Sequence, residues 1–241
     1  MGVSAFAHKA GLHASAIKVD PDLYQHTDPT MVGNDMRMLV SDMAGRASIE
    51  LKGKELGIDV GGDRELVQRI VDRVKERELQ GYTYEAADAS FALLMRAELD
   101  GINGREARRF FRIESWRAIT EDRPDGTHAN EATVKLWAKG ERIVATAEGN
   151  GPVNALDRAL RVGLEQIYPQ LGCFALVDYK VRILEGRSGT DSTTRVLITT
   201  TDGSAEWSTV GVADNVIAAS WQALDDAYAY GLLRAGLDPQ E

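Results

Sequence analysis

Residues 110–119 read FFRIESWRAI and residues 131–160 read EATVKLWAKGERIVATAEGNGPVNALDRAL. A second block follows, FALVDYKVRI at 174–183 and STTRVLITTTDGSAEWSTVGVADNVIAASWQAL at 192–224. Each block alternates apolar and polar residues over three short segments and then changes to a helical period, which predicts three strands and one helix. An internal repeat of this size indicates two copies of one unit that share a core.

The two blocks align at a spacing of 63 positions. The aligned pairs are Phe111 with Phe174, Trp116 with Tyr179, and Val153 with Val216. We therefore expect the repeat to cover 111–168 and 174–234. A three-stranded layer covered by one helix is only marginally stable alone, so the copies are expected to pack together.

Turn and cap residues place the elements within each copy. The predicted strands are 112–121, 132–138 and 142–147 in the first copy, and 175–184, 193–201 and 205–212 in the second. Pro152 is expected at the first position of the first helix, and Asp214 or Asn215 is expected to cap the second.

The sequence before the repeat predicts helices. SDMAGRASIELKGKEL reads as one helix, and residues 63–80 form the most regular helical pattern, with Asp63 as the cap. A further helix is predicted over 84–99. The resulting class is α+β: a linker subdomain at 1–60, a helical subdomain at 61–104, and a domain at 105–241 that contains the repeat.

Composition excludes several classes of protein. The 241 residues carry a formal net charge of −9 and the pI is near 5.1, which argues against a nucleic-acid binder. The basic run Arg105, Arg108, Arg109 and Arg112 is interpreted as a solvated helix face. No apolar run of 18 residues is present, so no membrane partner is expected.

The chain contains one cysteine, Cys173, which excludes an intrachain disulfide and favours a cytoplasmic location. Because it lies in the apolar run CFALV, we expect a buried, inert thiol.

Three of the four histidines lie near the N-terminus, where they form the one constellation suggestive of acid–base chemistry. His8, His13 and His26 accompany Lys9 and Tyr24. Imidazole and phenol groups can pass protons to a reacting oxygen. The alternative is that these side chains only make hydrogen bonds on an irregular surface.

Several motifs resemble one enzyme family. FAHKAGLHASAI, PDLYQH, VGN and LVSDMAGRASI are similar to the segment that follows the catalytic barrel in the citramalate, 2-isopropylmalate and homocitrate synthases. The repeat, with EGNGPVNALDRAL and TVGVADNVIAASWQAL, resembles that family's C-terminal allosteric dimerisation domain. The citramalate synthase branch matches best.

The resemblance implies a condensation of acetyl-CoA with pyruvate, catalysed by a TIM barrel that binds a divalent metal. His13 and Tyr24 match residues that reach the active site of the partner subunit, where they would orient or protonate the developing alkoxide. A barrel takes about 250 residues, and this chain begins where the barrel ends. The resemblance therefore implies a C-terminal fragment, or a truncated gene product, that carries no cofactor of its own and is inactive alone, engaging acetyl-CoA and a 2-keto acid only together with a barrel.

The resemblance also implies a homodimer that binds an end-product branched-chain amino acid, isoleucine or leucine. The expected contacts are Gly149, Asn150, Gly151, Pro152 and Ala155, with Asp178 and Tyr179 from the second copy. From the residues alone, a tight turn is sufficient to explain the glycines, and Tyr179 is as typical of a core aromatic on a strand.

Three alternatives remain open from the sequence. The chain can be the regulatory part of a 2-isopropylmalate synthase, a free-standing amino-acid sensor without a catalytic partner, or a dimer scaffold without a ligand.

Overall fold

The computed structural model describes most of the chain. It covers residues 5–8, 15–17, 19–20, 23, 27–40, 45–60, 62–184 and 192–239. The packing divides the chain into two compact units, Met1–Ala107 and Arg108–Glu241. Helices occur in both units and antiparallel sheets in the second, which confirms the predicted α+β class.

Three α-helices make up about half of the described part of the first unit. They are α1 (Arg46–Glu55), α2 (Arg64–Leu79) and α3 (Asp88–Ile102). Before them, β1 (Ala7–His8) pairs in parallel with β2 (Arg37–Met38), and a short 3-10 helix covers Pro29–Val32.

Helix α2 confirms the sequence prediction. The Asp63 carboxylate accepts hydrogen bonds from the backbone N–H groups of Glu65 (2.9 Å) and Leu66 (3.2 Å), which caps the helix. The apolar face is buried as its spacing requires. Its members are Leu66, Val67, Ile70, Val71 and Val74.

Helix α3 starts later than predicted. It begins at Asp88 rather than Tyr84 and continues to Ile102. Tyr84 and Ala87 are buried, but they lie in a turn before the helix. Their apolar side chains mimic the helical period, while Asp88 supplies the negative charge that a helix N-terminus favours.

A buried lysine joins elements of the first unit. Lys52 of α1 is 1% exposed, and its Nζ lies 2.8 Å from a Glu55 oxygen and 2.9 Å from an Asp88 oxygen. Arg37 of β2 lies 3.3 Å from the same aspartate. The network therefore connects α1, α3 and β2 through charge-assisted contacts.

The second unit begins with the first copy of the repeat. Strands β3 (Phe111–Asp122), β4 (His128–Ala138) and β5 (Glu141–Gly149) form an antiparallel sheet, and α4 (Pro152–Glu165) packs on it. Positive φ angles at Lys139 (48°) and Gly140 (78°) make the two-residue turn between β4 and β5. Such a turn matches the twist of the strands it joins.

The second copy repeats this order. Strands β6 (Ala175–Ile183), β7 (Thr194–Thr201) and β8 (Glu206–Ala213) precede α5 (Val216–Arg234). Asn215, rather than Asp214, caps the helix through a 2.8 Å hydrogen bond from the N–H of Ala218. Both copies thus form the predicted three-stranded layer with one helix.

The structure corrects the spacing of the repeat. β3 and β6 share a bulge at equivalent positions, between Ile113 and Ser115 and between Leu176 and Asp178, which keeps the offset of 63. The helix N-caps, however, are Gly151 and Asn215, which are 64 apart (215 − 151). Val153 therefore has no strict counterpart in Val216, because one additional residue lies between β6 and β7.

The two copies contact each other at two places. The Tyr228 hydroxyl of α5 donates a 2.6 Å hydrogen bond to the Asp157 carboxylate of α4. Trp116 of β3 lies against Trp221 of α5, with ring centroids 5.6 Å apart. These contacts confirm that the copies pack as one body.

Two predictions about single residues are wrong. Cys173 is exposed, because it ends the 3-10 helix Pro169–Cys173 while its neighbours Leu171 and Phe174 point into the core. Arg105 and Arg109 are exposed as expected, but they lie in the non-helical segment before β3. No helix in the described part of the chain is long and apolar enough to cross a membrane.

Candidate functional site

The junction between β5 and α4 contains five of the predicted effector residues. β5 ends at Gly149, Gly151 is the helix N-cap, and Pro152 is the first helical residue, as predicted. Gly151 is extended (φ −168°) and, having no side chain, makes no capping hydrogen bond. The first N–H groups of α4 therefore lack a side-chain acceptor at the cap.

Two glycines of this junction differ in the space around them. A Cβ on Gly149 would lie 2.5 Å from the backbone N of Ala155 and 2.7 Å from the Asn154 side chain, so only glycine fits. A Cβ on Gly151 would meet no atom within 4 Å. Gly149 thus allows the strand to pass close to the helix, whereas Gly151 leaves open space in front of it.

The remaining junction residues are held locally. The Asn150 N–H donates to the Asn154 side chain at 3.2 Å, and the Ala155 N–H donates to the Gly151 carbonyl at 2.9 Å. Ala155 is fully buried. Its side chain therefore belongs to the core between α4 and the sheet. Only the backbone of Ala155 takes part in the junction.

The same junction in the second copy is closed. Asn215 accepts the Ala218 N–H at the start of α5, so a side chain occupies the place that is empty before α4. Free N–H groups and the helix dipole together attract an anion such as an amino-acid carboxylate. Of the two junctions, the one before α4 therefore has the chemistry of an anion site.

Asp178 and Tyr179 lie on β6, and Tyr179 contacts α5. The Tyr179 hydroxyl lies 2.7 Å from Ser220 Oγ, and Ser220 donates its proton to the Val216 carbonyl at 2.6 Å. Tyr179 must therefore be the donor. The Asp178 carboxylate contacts the Lys180 ammonium, and this hydrogen bond lowers the pKa of Asp178.

The predicted effector residues thus form two groups. Gly149 to Ala155 surround the start of α4, while Tyr179 is bonded to the first turns of α5. Within the described ranges, no hydrogen bond joins one group to the other. Tyr179 is 40% exposed, so it is not the core aromatic that a strand position allows.

Two ionisable groups on α5 have raised pKa values. Burial raises the pKa of Asp225 on α5 to about 6, although the nearby Arg109 opposes this. Burial, and then the charge of Asp157, raises the pKa of Tyr228. Sequence reasoning missed these residues, because an aspartate or tyrosine at helical spacing is indistinguishable from a surface residue until its neighbours are known.

The predicted catalytic pair cannot be placed. His13 and Tyr24 lie outside the described residues, as do Lys9 and His26. Their roles therefore stay predictions. His8 lies on β1.

Comparisons with known proteins match two families along the chain, and the boundary between the two matches lies before α3 rather than at the end of the first compact unit. The LeuA allosteric (dimerisation) domain matches residues 85–232, and the homocitrate synthase post-HMGL domain-like family matches residues 1–81. An (R)-citramalate synthase from Streptomyces coelicolor is 80% identical over 241 residues, which is 100% of this chain and 44% of that protein.

More distant relatives carry the same name. An (R)-citramalate synthase from Aquifex aeolicus is 43% identical over 97% of this chain and 44% of its own length. One from Sulfolobus acidocaldarius is 37% identical over 96% of this chain and 42% of its own length. The chain therefore spans less than half the length of these relatives.

Proposed function

This chain belongs to the LeuA allosteric-domain family, on the branch of the citramalate synthases, and on that premise we propose that it is the accessory and feedback-regulatory part of such an enzyme. The reaction is the condensation of acetyl-CoA, pyruvate and water to citramalate and CoA, a step towards isoleucine. The chain binds the end-product amino acid and transmits its presence to a catalytic barrel, which supplies the divalent metal. His13 and Tyr24 contribute to the active site of the partner subunit.

The open junction before α4 is the observation that carries the proposal. An amino-acid carboxylate accepts hydrogen bonds from the uncapped N–H groups after Gly151. It occupies the open space beside Gly151, where an added Cβ would have no neighbour within 4 Å. The apolar side chain of the amino acid is read by a neighbouring apolar surface. Asp178 and Tyr179 present a carboxylate and a phenol, groups suited to an ammonium ion.

A second copy of the chain completes the assembly. Tyr179, Val181 and Ile183 lie on one side of the edge strand β6 and are 40%, 46% and 68% exposed. An exposed apolar row on an unpaired edge favours association, because it leaves both side chains and backbone groups without partners. The homodimer covers this row.

Calorimetry with isoleucine and leucine tests the effector site. Gly151→Asp places a carboxylate before α4, where it caps the helix and occupies the proposed ligand position. We expect at least a tenfold loss of amino-acid affinity with no loss of thermal stability. The matched control is Asn215→Asp, which adds the same charge at the cap of α5 and should leave the affinity unchanged.

The outcomes separate the proposal from its alternatives. If neither amino acid binds the unmodified chain, the regulatory function is wrong. If isoleucine binds and Gly151→Asp binds it equally well, the site is elsewhere. A thiol-release assay with acetyl-CoA and pyruvate should show turnover only when a catalytic barrel is supplied, and inhibition by the effector corresponds to a coupling of about 1–3 kcal/mol.

A further inference from the structure

A shallow groove lies on the first sheet. Its volume is about 330 Å³, and its lining comes from all three strands of the first copy. The lining residues are Ser115, Trp116, Arg117, Thr133, Lys135, Val144 and Thr146. No carboxylate is among them, although the whole chain has a net charge of −9.

The strand register arranges these side chains as two rows on one face. One row is Ser115, Lys135 and Val144, and the next is Arg117, Thr133 and Thr146. Arg117 and Lys135 are therefore diagonal neighbours on adjacent strands, with backbones roughly 7–8 Å apart. Their long side chains can converge on one anion above Thr133.

Both cations lack a partner of their own. Across the described ranges, neither Arg117 nor Lys135 makes an ion pair or a side-chain hydrogen bond. The charge of Lys135 contributes to lowering the pKa of Glu114, after the larger effect of Arg142. The Glu114 carboxylate, however, is already bound by Arg142 through two hydrogen bonds of 2.7 and 2.8 Å. The groove thus presents two cations that are available to a ligand.

The groove also offers neutral donors. Thr133 and Thr146 share one hydrogen bond (3.1 Å), so one hydroxyl proton of the pair stays available, and Ser115 adds another hydroxyl. Val144 is 53% exposed and supplies an apolar floor. Glu131 and Glu148 form the acidic row beyond Thr133 and Thr146, which disfavours a second carboxylate on the same ligand.

The second copy is an internal comparison. The residue equivalent to Arg117 is Lys180, which is paired with Asp178 at the position of Ser115. The position of Lys135 is taken by Thr199, whose hydroxyl lies 2.9 Å from Ser208. The second copy therefore has a hydroxyl pair in the row of Lys135 and Val144, while Leu197 and Val210 stand where the first copy has Thr133 and Thr146. The arrangement of two cations beside a threonine pair is thus not repeated at the equivalent positions of the second copy.

We propose that this groove binds a short 2-oxo or 2-hydroxy monocarboxylic acid, at a site separate from the junction before α4. Arg117 and Lys135 hold the carboxylate, the hydroxyls bind the oxygen at carbon 2, and the alkyl group lies on Val144. A 2-amino acid binds more weakly, because its ammonium would lie beside two cations while the nearest carboxylates, Glu131 and Glu148, lie one row outside the lining.

Three probes with one carbon skeleton test the selectivity: 2-oxoisovalerate, 2-hydroxyisovalerate and valine. Each is titrated into the full chain, and binding is followed by the backbone amide resonances of Thr133 and Thr146. We expect saturable shifts with the first two acids and at least tenfold weaker binding of valine. Equal binding of all three, or saturation by inorganic phosphate at the same concentration, would show a non-selective anion patch and overturn the proposal.

Matched variants locate the site. Arg117→Gln and Lys135→Gln should each weaken binding of 2-oxoisovalerate at least tenfold. Arg142→Gln removes a cation from the same sheet and Lys180→Gln removes the equivalent cation of the second copy, and both should bind as before. Gly151→Asp should also bind the 2-oxo acid normally. The groove and the amino-acid site before α4 are therefore tested by different variants, and one proposal can be wrong while the other stands. Binding that survives both groove variants would end the inference.

Discussion

Replacing the carboxyl group of Asp225 by an amide should stabilise the second unit at neutral pH. Burial raises the pKa of Asp225 from 3.8 to about 6. The charged form at pH 7 is therefore disfavoured by at most ~3 kcal/mol relative to a carboxylate in water. Because the side chain stays partly exposed, solvent reduces this figure, and Asp225→Asn should raise the free energy of unfolding by about 1–3 kcal/mol.

The sign of the pH dependence follows from the raised pKa. The folded chain binds this proton more tightly than the unfolded chain does, so the contribution of Asp225 to stability is complete below about pH 4 and is lost as the pH rises through 6. Wild type and Asp225→Asn should therefore have similar stability below about pH 4, diverge between about pH 4 and 6, and keep a constant difference above that range. Arg109→Gln should enlarge the difference, because the guanidinium opposes the rise in pKa.

Urea unfolding followed by circular dichroism at a series of pH values measures the effect. Asp238→Asn, at an exposed position after α5, is the control and should change nothing. If Asp225→Asn is no more stable than wild type at pH 7, or if the two curves stay parallel from pH 4 to 7, then the carboxylate is adequately solvated and the reasoning is refuted.

Three further predictions test the packing. Gly211→Ala should destabilise the chain by about 2–4 kcal/mol in thermal unfolding, because its Cβ would lie 2.0 Å from a backbone oxygen of α5, whereas Gly151→Ala should change stability by less than about 0.5 kcal/mol. Tyr228→Phe removes the buried 2.6 Å hydrogen bond to Asp157 and should lower the free energy of unfolding in urea by about 1–3 kcal/mol. An unchanged stability would mean that water replaces the lost hydrogen bond to Asp157. Asp88→Ala should destabilise the first unit more than Lys52→Met, because only the former leaves a buried ammonium with a single carboxylate, and the opposite order would contradict this.

Local signals in the sequence were sufficient for much of the fold. The Asp63 cap and the apolar spacing after it determine α2, and alternating residues with glycine turns determine the strands of both copies. These features depend on neighbours a few positions away, which a single sequence displays. The order of three strands and one helix was therefore predictable in both copies.

Features that depend on distant partners were not predictable. The apolar side chains of Tyr84 and Ala87 are buried outside a helix, and Cys173 is exposed within an apolar run. Lys52 is buried because two carboxylates meet it, one of them 36 positions away (88 − 52). The candidate site was predicted in part: the glycine junction was identified from its pattern, but the difference between an open cap and an occupied one required the structure.

The bulge that β3 and β6 share has a consequence for the symmetry of the second unit. Because the irregularity lies at equivalent positions, the residues that follow it in these two strands stay in step. The backbone is therefore duplicated more closely than the side chains, which differ at the helix cap and on the open face of the sheet. A nearly twofold backbone thus carries two unequal surfaces.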